Sequence, residues 1–262
     1  MLMDHYPYYV VRLRELPYGS FRRITRKTCR GYSEMEPFLT NKDGLEIGGP
    51  SPFFCRNGLV PVYDRCRQID NTNFASETLW SDPSERRDGG ANFRKQYVTD
   101  ACHLSVIPDE TYDFVLASHV LEHIANPLRA LKEFERVLKP GGAMLILVPD
   151  KRNTFDHRRP FTPFEHIEAD FQSNTQEDDL THLDEVLLLH DLRLDPEAGS
   201  RGQFKERCLR NSAFRAMHHH VYSPEVLSRM LQRFDMSVLN LTPERPFHIV
   251  GFAQKVLTHI SN

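Results

Sequence analysis

Three groups of residues in this chain have the types and spacing to do chemistry. The first is His119-Val120-Leu121-Glu122-His123, an H-x-x-E-H pattern. In one class of zinc hydrolases that pattern puts both imidazoles on one helical turn, with the Glu serving a bound water. Here it follows a buried apolar run and precedes Asn126-Pro127, a poor place for a full helical turn. A metal-dependent hydrolase is therefore a remote reading. The second group is His218-His219-His220, with His157 and His166 upstream. Neutral imidazole can pack, take a proton from a substrate, or bind a metal, and all three readings stand. In extended backbone His218 and His220 should face one way and His219 the other. With no Cys nearby to close a zinc site, no metal ligand is assigned. The third group is Gly44–Pro52, GLEIGGPSP. A strand ending in glycines lets the chain turn tightly and bare backbone approach a ligand. Pro50 and Pro52 remove two N–H donors from that loop.

The elements that must position these groups centre on residues 112–150. Phe114-Val115-Leu116 reads as a buried parallel strand. Pro127 suits a helix's first turn, and Leu128, Leu131, Phe134, Val137 and Leu138 follow at helical spacing. Lys139-Pro140-Gly141-Gly142 ends that helix, and Ala143–Val148 reads as a second strand. Strand, helix and strand of this length make a βαβ unit, expected to cross over right-handed. Leu59–Arg65 reads as a further strand ending in an acid. The spacing of Asp64 from Gly48 is near that of a ribose-binding carboxylate, and Arg65 adjoins it; the other reading of Asp64 is a helix cap.

Tyr112-Asp113-Phe114-Val115, then Ser118–His123, then Arg136–Gly142 together resemble the fourth to fifth strands of class I S-adenosylmethionine-dependent methyltransferases. Within that family the chain looks most like methyltransferases that accompany bacterial surface-glycan biosynthesis. The resemblance covers residues 42–150 well and 222–257 loosely. It implies an α/β fold: a Rossmann-like, mostly parallel sheet with flanking helices and an antiparallel last strand. The implied cofactor is S-adenosylmethionine. Glu46 and Gly48 match the family's acidic-x-Gly loop, which wraps the methionine end, and Gly49 belongs to the same turn. Gln96–Cys102 resembles the third strand. Asp100 would take the adenine amino group, and the N–H of Ala101 a ring nitrogen. Ser118 and His119 complete the implied cofactor contacts.

The rest of the chain surrounds that core, which spans 43–150 and 222–262. Residues 1–42 carry Arg12, Arg14, Arg22, Arg23, Arg26, Lys27 and Arg30 among aromatics. They read as a helical cap or as the wall of an anionic-substrate site. Ser81–Phe93 reads as a surface loop. Residues 151–221 are too long for a bare loop between core strands and read as an inserted helical lid. Leu183, Val186, Leu187 and His190 mark one helix inside it. Ser223-Pro224 starts a helix with Val226, Leu227, Met230 and Leu231 on its buried face. Met236–Leu241 and Phe247–Val256 read as the last strands.

The chain of 262 residues has a net charge of −3, so nothing global draws it to nucleic acid. No apolar run reaches the roughly 18 residues needed to span a bilayer, and the N-terminus lacks a signal-peptide pattern. The expected setting is cytoplasmic. The five cysteines are scattered and form no CxxC, as reduced thiols would be. The functional expectation is methyl transfer to a small or glycan-derived acceptor. Alignment would do most of the work, and His220 or His157 would act as base. A noncatalytic protein with the same fold is the alternative.

Overall fold

The computed structural model describes residues 28–78 and 93–257. The basic stretch up to Lys27, nearly all of Ser81–Phe93 and residues 258–262 lie outside the described residues. A seven-stranded sheet has the order β3-β2-β1-β4-β5-β7-β6. The strands are β1 Asp43–Ile47, β2 Gln68–Asn73, β3 Phe93–Val98, β4 Tyr112–Ser118, β5 Leu138–Pro149, β6 Met236–Glu244 and β7 His248–Lys255. Strands β1 to β5 pair in parallel, and β7 runs antiparallel to both β5 and β6.

Alternation along the central strands builds two cores. Val115, Ala117, Met144, Ile146 and Val148 face one side; Phe114, Leu116, Ala143, Leu145 and Leu147 face the other. Both faces are apolar because helices cover both. On the first face lie α2 (Pro127–Val137), α3 (Phe164–Gln172) and α7 (Pro224–Leu231); on the second lies α1 (Tyr32–Leu39). The βαβ unit forms as its sequence dictates. Asn126 caps α2 by accepting the Arg129 N–H at 3.1 Å, and Leu128, Leu131, Phe134 and Val137 are buried. Gly141, with φ of 76°, sits within β5 where its register against β4 shifts. Ser223 caps α7 through the Val226 N–H at 3.2 Å.

One strand lies elsewhere than expected. Residues 59–65 are irregular, and β2 is the polar run Gln68–Asn73. Leu59, Val60, Val62 and Tyr63 are buried, which is why they are apolar. Their backbone bonds to the 53–54 turn, with Val60 N to Phe53 O and Val62 N to Phe54 O both 2.9 Å, and not to β1. The polar residues of β2 can be buried because their partners are built in. Asp70 accepts from Arg94 Nη2 at 2.9 Å and Tyr112 Oη at 2.7 Å.

The insertion holds α3, then α4 (Leu183–Leu189), α5 (Arg201–Leu209) and α6 (Asn211–Phe214). Val186, Ala198, Phe204, Cys208 and Met217 give it a small core of its own. Buried Arg159 organises its inner edge. It pairs with Asp156 at 3.1 Å and Glu185 at 2.8 Å and donates to His218 O at 3.0 Å and His219 O at 3.1 Å. The His219 N–H in turn donates to Glu122 O at 2.7 Å, joining the insertion to the loop after β4.

Placing Asp70 inside the sheet has a measurable consequence. Asp70→Ala removes an acceptor from the buried Tyr112 hydroxyl and should destabilise by roughly 1–3 kcal/mol. Tyr112→Phe should be non-additive with it in denaturant unfolding, as expected for contacting groups. Strictly additive effects would mean that β2 is not where it is described.

Candidate functional site

The turn after β1 is shaped by a buried carboxyl group. Glu46 is fully buried and accepts the Tyr63 hydroxyl at 2.9 Å and the Ser51 N–H at 3.0 Å. Burial pushes its pKa up to about 8, against the opposing pull of Tyr63 and Ser51. Gly48 has φ of 76°, and a Cβ there would come within 2.7 Å of Val120 Cγ2. A Cβ on Gly49 would lie 2.0 Å from Glu46 Cδ. Pro50 and Pro52 keep the turn but change its hydrogen bonding. The Ser51 amide turns inward to Glu46, and Ser51 Oγ accepts the Phe53 N–H at 3.4 Å to start a short helical turn. The Gly48 amide donates to Thr72 O at 2.8 Å. The loop thus offers a ligand its shape and spends these amides on itself.

Asp64 and Arg65 are not beside that loop. Asn41, ahead of β1, donates to Arg65 O at 2.9 Å, so this turn lies at the amino ends of the strands. There Asp64 pairs with Arg56 at 3.8 Å, and Arg65 pairs with Glu36. The residue at the carboxyl end of β2 is Asn73. Its Nδ2 donates to Gly49 O and to Asn71 Oδ1, both at 3.0 Å. Sequence reasoning missed it because Gln68–Asn73 contains one apolar residue, Ile69, and gives no strand signal. Asp100 does follow β3. It accepts the Cys102 N–H at 2.7 Å and Arg215 Nη2 at 2.6 Å, and neighbouring Ala101 is buried. Burial alone would raise the Asp100 pKa, but Arg215 outweighs it and the net direction is down. Arg215 belongs to the insertion, which is thereby fastened to the third strand's end. Glu177 nearby is pushed up to about 7, chiefly by burial.

At the end of β4, Ser118 Oγ is buried with no hydrogen-bond partner among the described residues. His119 takes a left-handed backbone, φ 54°, which is rare for a residue with a Cβ. Its amide still bonds Leu147 O at 2.8 Å, so the turn begins on a fixed strand end. The ring lies between two partners: Nδ1 is 3.3 Å from Glu122 Oε1 and Nε2 is 3.0 Å from His248 Nδ1. Phe53, from the glycine loop, packs on both His119 and His248. Burial raises the Glu122 pKa, but His119 and the other nearby histidines reverse the direction. H-x-x-E-H therefore forms one short turn, Leu121–His123, in place of the α-helix a zinc hydrolase needs. His248 is the second residue that sequence reasoning missed; nothing local marks it.

The two histidines expected as bases sit differently. His220 is almost fully buried, with Nε2 3.2 Å from Ala125 O, and burial drives its pKa well below the usual value. A base so shielded and so weak is poorly suited to take an acceptor's proton at neutral pH. His157 is held by Asp191 at 3.1 Å, within an ion-pair group that includes Arg158 and Arg193 of the insertion. The cluster also divides otherwise than simple alternation predicts. His218 bonds Asp156 at 2.6 Å, whereas His219 and His220 both approach His182.

The Glu46 carboxyl generates a pH prediction. Between its ordinary value of 4.5 and about 8, the folded chain holds a proton that the unfolded chain has lost. This group's contribution to stability therefore falls as pH rises through that window, by up to about 1.4 kcal/mol per pH unit. Glu46→Gln stays neutral throughout. In urea unfolding, its stability relative to the wild type should improve between pH 5.5 and pH 8. A pH-independent difference would remove the proton from Glu46.

A family described as a methyltransferase domain matches residues 18–241. The chain is 28% identical over 95 residues to the sterol 4-C-methyltransferase strm-1 of Caenorhabditis elegans, covering 33% of this chain and 28% of that protein. It is 26% identical over 103 residues to the demethylmenaquinone methyltransferase of Bacillus subtilis, covering 39% of this chain and 44% of that protein. The matched region thus spans less than half the length of either relative. An S-adenosylmethionine-dependent methyltransferase from Mesorhizobium loti superposes with a TM-score of 0.51 at 12% identity, over 86% of this chain and 95% of that one. The strand order, the glycine turn after β1 and a family match across most of the chain agree: this protein belongs to the methyltransferase-domain family.

Proposed function

We propose that the protein transfers a methyl group from S-adenosylmethionine to a hydroxyl or amine of a small or glycan-derived acceptor, with His119 receiving the acceptor's proton. The observation that carries the proton-transfer part is the row Glu122–His119–His248 at the end of β4. Glu122 orients the ring from one side, and His248 faces its other nitrogen.

The residues at the strand ends fit the cofactor. Chain connections leave β1 and β4 in opposite directions across the sheet, and ligands of open α/β sheets bind in the crevice that results. Gly48 and Gly49 let the loop backbone close on Val120 and Glu46, which a Cβ at either would strike, and buried Ser118 Oγ lacks a partner among the described residues. Asn73 is the candidate for the ribose hydroxyls and Asp100, beside Ala101, for the adenine end. When bound, S-adenosylmethionine supplies a methyl group on a good leaving group, so the chain chiefly has to align the acceptor and manage its proton. The insertion lies over the Asp100 end through Arg215 and over the β4 loop through His219, as a cover would.

A noncatalytic reading draws on the glycine loop, whose Ser51 amide is turned inward. Calorimetry with S-adenosylmethionine and S-adenosylhomocysteine separates the two: absence of binding at millimolar concentration leaves only the noncatalytic reading. With labelled cofactor and a panel of hydroxyl and amine acceptors, His119→Ala should lower turnover about 10²-fold or more. Its affinity for S-adenosylhomocysteine should change far less. Asn73→Ala should do the reverse, weakening the cofactor by roughly 1 kcal/mol, one hydrogen bond's worth. Full turnover in His119→Ala at neutral pH would leave alignment alone as the mechanism.

A further inference from the structure

The insertion contains a second constellation that methyl transfer does not use. His166 and Asp170 lie one helical turn apart on α3, His182 immediately precedes α4, and His220 lies in the extended run leading to α7. One ligand atom from each of the four lies within 4.8 Å of those from the other three. His166 Nε2 is 3.0 Å from His182 Nε2 and 3.3 Å from Asp170 Oδ2, and His220 Nε2 is 3.8 Å from the same oxygen. We propose that His166, Asp170, His182 and His220 bind a divalent transition-metal ion, zinc fitting best, which ties α3, the start of α4 and the run leading to α7 together within the insertion.

The spacing is that of a coordination shell. With metal–ligand bonds of about 2.0–2.1 Å, the edges of a zinc tetrahedron are about 3.3–3.4 Å. The contacts of 3.0, 3.3 and 3.8 Å fall on both sides of that edge, so closing the shell needs only small movements. A hydrogen bond between His166 and His182 would account for one contact and no more. It leaves buried Asp170 Oδ2 with no hydrogen-bond partner among the described residues. A cation satisfies several converging lone pairs at once.

The surroundings hold the ligands in place, as the groups around metal sites do. Asp170 Oδ1 accepts from Thr175 Oγ1 at 3.1 Å, which leaves Oδ2 for the site. His220 Nε2, the ring atom that approaches Asp170, also lies 3.2 Å from Ala125 O, a contact that a bound ion would replace. Asp170 O accepts from Asn126 Nδ2 at 3.1 Å, so the cap of α2 is tied to the ligand helix. Three imidazoles and one carboxylate make a borderline ligand set that suits zinc, and four protein ligands make a closed, structural site. A second group, Glu122, His123 and His218, has one ligand fewer, and His218 is already engaged by Asp156 at 2.6 Å. The first group is therefore the stronger site.

The test uses the full chain with any affinity tag removed, loaded with zinc, desalted and analysed by elemental mass spectrometry. About one zinc per chain is expected in the wild type and in His218→Ala, with near-background content in His182→Ala and Asp170→Asn. Should the variants fail to fold, the wild type alone decides: cobalt substitution should give the intense visible bands of a tetrahedral site, and zinc should raise the melting temperature reversibly against a chelator. No retained zinc, zinc unaffected by His182→Ala, or zinc lost from His218→Ala in its place would each overturn the assignment. None of these readouts depends on catalysis, so they stand or fall apart from methyl transfer.

Discussion

The loop after β1 depends on one carboxyl group held out of water. Glu46 has no solvent exposure, and its carboxyl group leaves no space for a side chain at Gly49. It accepts from the Tyr63 hydroxyl at 2.9 Å and from the Ser51 N–H at 3.0 Å, and that N–H also reaches Tyr63 Oη at 2.6 Å. That chain pins the turn where the first strand ends, and the turn in turn places Phe53 against His119 and His248. A loop with two prolines cannot rely on a row of amides for its shape. Here a buried side-chain network supplies the rigidity.

The fourth strand is the second fixed point. Its apolar residues anchor it between two cores, so its last residues can adopt a costly geometry without moving. The left-handed backbone at His119 turns the imidazole between Glu122 and His248. The same loop then receives the insertion, through the Glu122 carbonyl, the Ala125 carbonyl and the Asn126 side chain. The strand end, the His119 ring and the insertion are therefore coupled by short contacts. A change in how the insertion sits will be felt at the His119 turn.

The insertion reaches this position although its own apolar core is small. Polar interactions take over much of the fastening. Arg159 is buried with two carboxylates and two carbonyls around it, and Arg215 closes onto Asp100 and Glu177. Buried networks of this kind fix one arrangement and penalise its neighbours, since each misplaced group would lose its partners.

What the sequence determined by itself follows from local rules. The βαβ unit was legible because apolar spacing, Pro127 and Gly141-Gly142 act within a few residues of where they stand. Gly48, Asp100 and the antiparallel last strands followed from the resemblance carried by residues 112–142. Other features had no local signal. Strand β2 is polar because Arg94 and Tyr112, from other strands, satisfy Asp70; the nearby apolar run 59–63 is core lining and imitates a strand. Asp64 and Arg65 consequently lie at the amino ends of the strands, and the residue at the carboxyl end of β2 is Asn73. His248 meets His119 across 129 residues, and the triple histidine divides between Asp156 and His182 because the insertion folds back between them. Residue type and short-range spacing set the elements and the cofactor turn. Which distant side chains converge was decided only by packing, since burial against partners far away in the chain selects both the position and the protonation of each group.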